Sequence, residues 1–163
     1  MIVNPFTYGN PISDPSRFFG RKLEVEQVFS RLRNVEFESS SLVGERRVGK
    51  TSLLNYLMHP NVRQSQGLNP DKYIFVYMDL EMLDKDTTPS RLWQRLLRQM
   101  ERSCSNHEVK QILVEVRQEQ IIDNFALADL FDSVDEKDQY VVFLLDEFEN
   151  VTENQPFSMD CGV

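Results

Sequence analysis

The stretch that most restricts how this chain can fold is GERRVGKT, Gly44 to Thr51. It matches G-x-x-x-x-G-K-S/T, a loop that must leave a strand and open a helix. The chemistry explains the spacing. Gly44 and Gly49 permit backbone angles that a side chain forbids. The loop then turns its N–H groups inward around a phosphate, and the next helix aims its positive end at the same group. Lys50 reaches the β- and γ-phosphates, and the Thr51 hydroxyl suits magnesium. Glu45, Arg46, Arg47 and Val48 within the loop, and Ser52 after it, complete the expected binding set. Arg46 and Arg47 fit a nucleotide or subunit contact and plain loop-surface charge equally well.

The flanking pattern supplies the required context. Ser39 to Val43 reads as a short strand, and Thr51 to Met58 as a helix that Pro60 ends. Upstream, Val25, Val28, Phe29 and Leu32 fall on one face of a helix over Lys22 to Arg33. Gln64 to Asp71 reads as loop. Tyr73 to Met78 is a continuous apolar run, as in a strand buried on both faces of a parallel sheet. Thr87 or Thr88 caps a helix with Pro89 at its first position, whose inward stripe is Trp93, Leu96, Leu97 and Met100. Val109, Ile112, Leu113 and Val116 mark a further helix. Leu127, Leu130, Phe131 and Val134 mark another, capped by Asp123 or Asn124. Tyr140 to Leu145 is the third buried strand. Strands alternating with helices predict an α/β class with a parallel sheet.

That third strand ends in two acids, Asp146 and Glu147. A phosphate-binding loop needs a partner that holds the metal from the other side and prepares a water. Phosphoryl transfer depends mostly on positioning and charge stabilisation. Asp146, after four apolar residues, suits the metal, and Glu147 suits the water. Asp79 ends the second strand and reads as a turn residue. His59 and His107 have no visible catalytic partner.

The segments FFGRKLEVEQVFSRL, LVGERRVGKTSLLNYL and VVFLLDEFE together resemble the AAA-type P-loop ATPases, more narrowly the STAND-like bacterial ATPases and their origin-recognition-type relatives. The resemblance covers roughly Asn4 to Asn154. It makes Gly44 to Thr51 the Walker A motif and Val142 to Glu147 the Walker B motif. It implies that Phe19, Gly20 and Arg21 line the adenine side of the pocket. The implied ligands are ATP and Mg2+. Lys50 and Glu147 take the catalytic roles, and Thr51 and Asp146 the metal. No N/T-K-x-D guanine-reading motif occurs, which favours ATP over GTP.

Composition fits one globular domain: 163 residues, 40% hydrophobic and 27% charged. A net charge of −8 disfavours nucleic acid and anionic membrane as partners. Arg91, Arg95, Arg98 and Arg102 share a helix face and read as a solvated face opposite Trp93 and Leu97. Cys104 and Cys161 lack metal-ligand spacing and read as idle thiols. No signal peptide and no apolar run of about 18 residues is present, so a cytoplasmic protein is expected.

The organisation expected is an arm over 1–19, a partial P-loop core over 20–154 and a short irregular tail over 155–163. The related fold is a three-layer parallel sheet with flanking helices and strand order 5-1-4-3-2. Strands 1, 2 and 3 are expected here, but strands 4 and 5 and the helical lid find no sequence to form them. An empty slot in mid-sheet leaves buried backbone groups unpaired, at about 1–3 kcal/mol each. The chain therefore reads as truncated, with self-association or effector domains lying beyond it. Three readings stand open: an ATPase whose hydrolysis is weakened, a nucleotide-controlled switch with little turnover, and a non-catalytic fragment.

Overall fold

The computed structural model describes residues 10–34, 39–45, 47–84 and 86–150. These residues form two compact units, one running up to Leu68 and one from Asn69 onward. Each is built differently.

The first unit is helical where it is regular. A 3-10 turn at Pro15–Arg17 precedes α1 (Lys22–Arg33), α2 (Lys50–Met58) and α3 (Pro60–Ser65). Of the predicted stripe on α1, Val25 and Phe29 are buried, and Leu53, Leu54 and Leu57 are buried on α2. Pro60 does follow the end of α2, but it also starts α3. The His59 imidazole caps that helix by accepting from the Asn61 N–H at 3.3 Å. Proline is favoured at a first helical position, where its missing N–H costs nothing. The run from Gln64 therefore begins inside a helix, not a loop.

The arm is tied to α2 at Ile12. Its N–H donates to Ser52 Oγ at 3.0 Å, and its carbonyl accepts from Asn55 at 3.3 Å. Phe18 stacks on Tyr56, centroids 4.3 Å apart.

The strand expected over Ser39 to Val43 is not formed. That segment has no regular structure, and Val43 is 93% exposed. A strand exists through its ladder, and neither of the two strands among the described residues pairs with this segment. No burial holds Val43 in place of one. The three-stranded expectation is corrected to two strands among the described residues.

The second unit holds those two strands. β1 (Tyr73–Asp79) and β2 (Tyr140–Asp146) pair in parallel, in register from Tyr73 opposite Tyr140 to Asp79 opposite Asp146. Between them run a 3-10 turn at Leu80–Met82, then α4 (Pro89–Ser103), α5 (His107–Gln118) and α6 (Asn124–Glu136). Ile74 and Val76 of β1 join Leu96, Leu97 and Met100 of α4 in one core, which Val109 and Leu113 of α5 and Leu127 and Leu130 of α6 extend. Val141 and Phe143 of β2 pack against it. Phe143 meets Trp93 and Phe131 edge to face, each about 6 Å away between centroids.

β1 carries three consecutive buried residues, Ile74 to Val76, as a two-sided strand should. β2 does not. Its residues from Tyr140 to Phe143 are half-buried and Leu145 is exposed. Its apolar run reads like a central strand, yet among the described residues only β1 pairs with it.

Candidate functional site

The predicted residues fall in both units. In the first, the loop from Gly44 leads into α2. Gly49 takes φ 86°, a left-handed conformation that a β-carbon disfavours, and turns the chain into the helix. Gly44 has no such angle. Its need for glycine is one of space, because a β-carbon there would lie 2.9 Å from Val48 Cγ2. The expected reason for this glycine is therefore corrected from backbone angle to close approach.

No side chain caps α2 at Gly49. A helix start carries N–H groups that no residue of the helix can satisfy. Here they stand at Lys50, Thr51 and Ser52 without a side-chain acceptor from the cap. Lys50 folds back across the loop, its Nζ donating to the Gly44 carbonyl at 2.9 Å. Lys50 and Thr51 are half-buried, while Glu45, Arg47 and Val48 are exposed. The Ser52 Oγ accepts from the Ile12 N–H, which leaves its own O–H donor unassigned by that bond. Arg46 lies outside the described residues, as do Cys161 and the tail over 155–163.

The structure joins the Phe19–Arg21 segment to this loop. The Arg21 guanidinium donates to the Val48 carbonyl, 27 residues away in sequence. Gly20 and Arg21 both have positive φ, 85° and 52°, which sharpens the turn into α1. Phe19 projects outward and is exposed. An exposed aromatic ring can stack on a planar ligand.

In the second unit, Asp146 closes β2 and is 4% exposed. A buried carboxylate must be hydrogen-bonded. Its Oδ2 accepts from the Tyr77 hydroxyl at 3.1 Å, and its Oδ1 from the Glu147 N–H at 3.1 Å. Burial pushes the Tyr77 phenol up, and the charge and hydrogen bond of Asp146 push it further, so the hydroxyl stays protonated as a donor. Tyr77 was not among the sequence candidates. A signal existed: a tyrosine inside a buried apolar run must find a partner for its hydroxyl.

Glu147 sits at φ 52°, rare for a residue with a β-carbon. Asn150 secures that turn by donating twice to the Glu147 carbonyl, from its N–H at 3.0 Å and its side chain at 3.2 Å. The two acids thus diverge, one buried at the strand end and the next on a reversed backbone. Asp79, opposite Asp146 in the register, is the turn residue expected, its Oδ1 accepting from the Glu81 N–H at 2.9 Å.

Thr51 in the first unit and Asp146 in the second each carry an oxygen of the kind a hard cation prefers, and no group of three or more His, Cys, Asp or Glu that could hold a metal occurs among the described residues. Magnesium commonly takes one or two protein oxygens and completes its shell with phosphates and water.

No described helix is long and apolar enough to cross a membrane. Cys104 is buried near Gln139 and Asn106, and burial pushes its thiol up, away from reactivity. A search of curated proteins and a search of solved structures each returned no match. The family model described as AAA domain matches residues 38–160, more than half of the chain.

Proposed function

The chain belongs to the AAA domain family, a family of P-loop α/β nucleotide-binding domains, and from that premise we propose that it binds ATP with magnesium through Gly44 to Thr51. The observation that supports this most is the open start of α2. The helix has no side-chain cap, its amides follow a left-handed glycine, and Lys50 lies across the same loop. An anion at that point gains the unpaired N–H groups and the helix dipole together.

In this reading Lys50 carries the charge of the β- and γ-phosphates. Thr51 would offer magnesium an oxygen ligand, and the ion would supply charge neutralisation on the phosphate oxygens when bound; Asp146, in the second unit, carries the carboxylate to which the family reading gives the same role. Tyr77 holds Asp146 in place through its hydrogen bond to Oδ2. Glu147 accepts a hydrogen bond from the attacking water. Phe19 and Arg21 border the base, and the absence of a guanine-reading motif favours adenine. The narrower likeness to STAND-like ATPases belongs to the same proposal.

Thermal unfolding with and without millimolar ATP and magnesium tests it. The midpoint should rise with nucleotide, because a ligand that binds only the folded state stabilises it by mass action. Lys50→Ala should remove the rise while leaving the nucleotide-free midpoint nearly unchanged. No shift in the unsubstituted chain would overturn the proposal. Glu147→Gln separates binding from turnover: it should keep the thermal shift and lose phosphate release.

A further inference from the structure

We propose that this chain associates with a second copy of itself through the exposed faces of α4 and α6. The proposal rests on two matching stripes. On α4, Arg91, Arg95, Arg98 and Arg102 are all exposed. They follow one another at steps of four, three and four, which confines them to about 60° of arc over about 17 Å of helix. On α6, Phe125, Asp129, Asp132 and Glu136 are all exposed at the same three steps. The sequence four-three-four reads the same in both directions, so the stripes match whether the helices run parallel or antiparallel.

Both stripes are largely unpaired among the described residues. Arg91, Arg98 and Arg102 form no ion pair among the described residues, and neither do Asp129, Asp132 and Glu136. Arg95 has only a long contact to Asp84, 3.9 Å, and a bond to the Met82 carbonyl at 3.2 Å. The fourth position explains Phe125. It is 81% exposed, and a ring there would receive the fourth guanidinium by cation–π attraction.

The occupant follows from charge. The chain carries −8 overall, and α4 touches α6 through Trp93 and Phe131, centroids 6.0 Å apart. A polyanion approaching the arginines would meet the acids of the neighbouring helix as well. A second copy turns that obstacle into a contact. In a two-fold dimer each α4 meets the partner's α6, and the same pairing forms twice. An unrelated acidic protein would use the arginines alone and leave the acid stripe and Phe125 unexplained.

Exposed ion pairs are individually weak and screened by salt, so the association should be salt-sensitive. Sedimentation of the whole chain at about 50 mM and about 500 mM salt compares a screening length of roughly 14 Å with one of roughly 4 Å. The expected result is a species of twice the monomer mass at low salt that reverts to monomer at high salt. Arg95→Glu/Arg98→Glu and Asp129→Arg/Asp132→Arg should each be monomeric at low salt. Mixed together, they should restore the heavier species, because the reversed stripes are again complementary. A monomeric unsubstituted chain at low salt, a reversal without effect, or a mixture that stays monomeric would each overturn the proposal. So would retention of a duplex oligonucleotide that the arginine reversal abolishes. Circular dichroism on each variant confirms folding, and the salt dependence of the unsubstituted chain stands independently of any variant.

Discussion

Helices α1 and α2 of the first unit and α4 to α6 of the second begin in opposite ways. In the second unit each of these starts is closed by its own sequence. Thr88 Oγ1 accepts from the Arg91 N–H, Asn106 Oδ1 from Glu108 and Val109, and Asp123 Oδ1 from Ala126. In the first unit α1 starts at Arg21 and α2 at Gly49, both left-handed and neither with a side-chain cap. A missing cap costs roughly 1 kcal/mol. The second unit is therefore self-sufficient scaffold, and α2 is left open at the point where an anion would complete it. The same division runs through the chemistry. Asp146 is fixed by Tyr77, whereas the loop from Gly44 to Gly49 is tied by Lys50 and Arg21.

The contrast can be broken at several strengths. The largest expected effect is in the scaffold. Leu97→Ala empties a fully buried position between α4 and β1 and should lower unfolding free energy by about 2–5 kcal/mol in urea titration. Hydrogen exchange should report that loss at the amides of β1 and α4, and not at α2. If α2 amides lost protection equally, the two units would not differ in the way described.

Tyr77→Phe comes next. Removing a hydrogen bond to a buried carboxylate should cost about 1.5–3 kcal/mol. It also carries a pH signature. The folded state holds the Tyr77 phenol above its ordinary value, so the stability this contributes is complete below the unfolded value of about 10 and falls as pH rises beyond it. The unsubstituted chain should lose stability from about pH 10 upward more steeply than Tyr77→Phe does. Parallel pH profiles would show that Tyr77 is not the group responsible.

Gly49→Ala places a β-carbon at φ 86° and should cost about 1–2 kcal/mol. Its effect on a nucleotide-induced thermal shift should exceed that stability cost, because the open amides move with the turn. Asn106→Ala removes an ordinary cap from α5 and should cost about 1 kcal/mol by the same urea measurement. It should leave any nucleotide-induced shift untouched.

Much of this was readable beforehand. The stripes of α4, α5 and α6 were legible because one-sided burial imposes the helical period on composition. Trp93, Leu113 and Leu130 announce their faces without any knowledge of neighbours. The glycine turn into α2 was legible because Gly49 and Lys50 sit at a fixed spacing from Gly44. What failed depended on partners. Ser39 to Val43 has the residues of a strand, but a ladder is a property of two segments, and neither described strand pairs with it. The half-buried state of β2 has the same origin. Pro60 was read as a stop when it is equally a start. The Tyr77–Asp146 bond was hidden because it depends on register: Tyr77 stands opposite Leu144, two residues short of the acid on the same face of the sheet. No pattern within either strand announces that alignment. Arg21 reaching Val48 is likewise a fact of tertiary folding.

The Lys50 bond to the Gly44 carbonyl bears on the proposed binding step. An ammonium carries three donors, and the carbonyl occupies one of them. If the loop takes a phosphate as proposed, another donor can meet it while the first bond persists. Entry would then be limited by diffusion and desolvation rather than by rearrangement of the side chain.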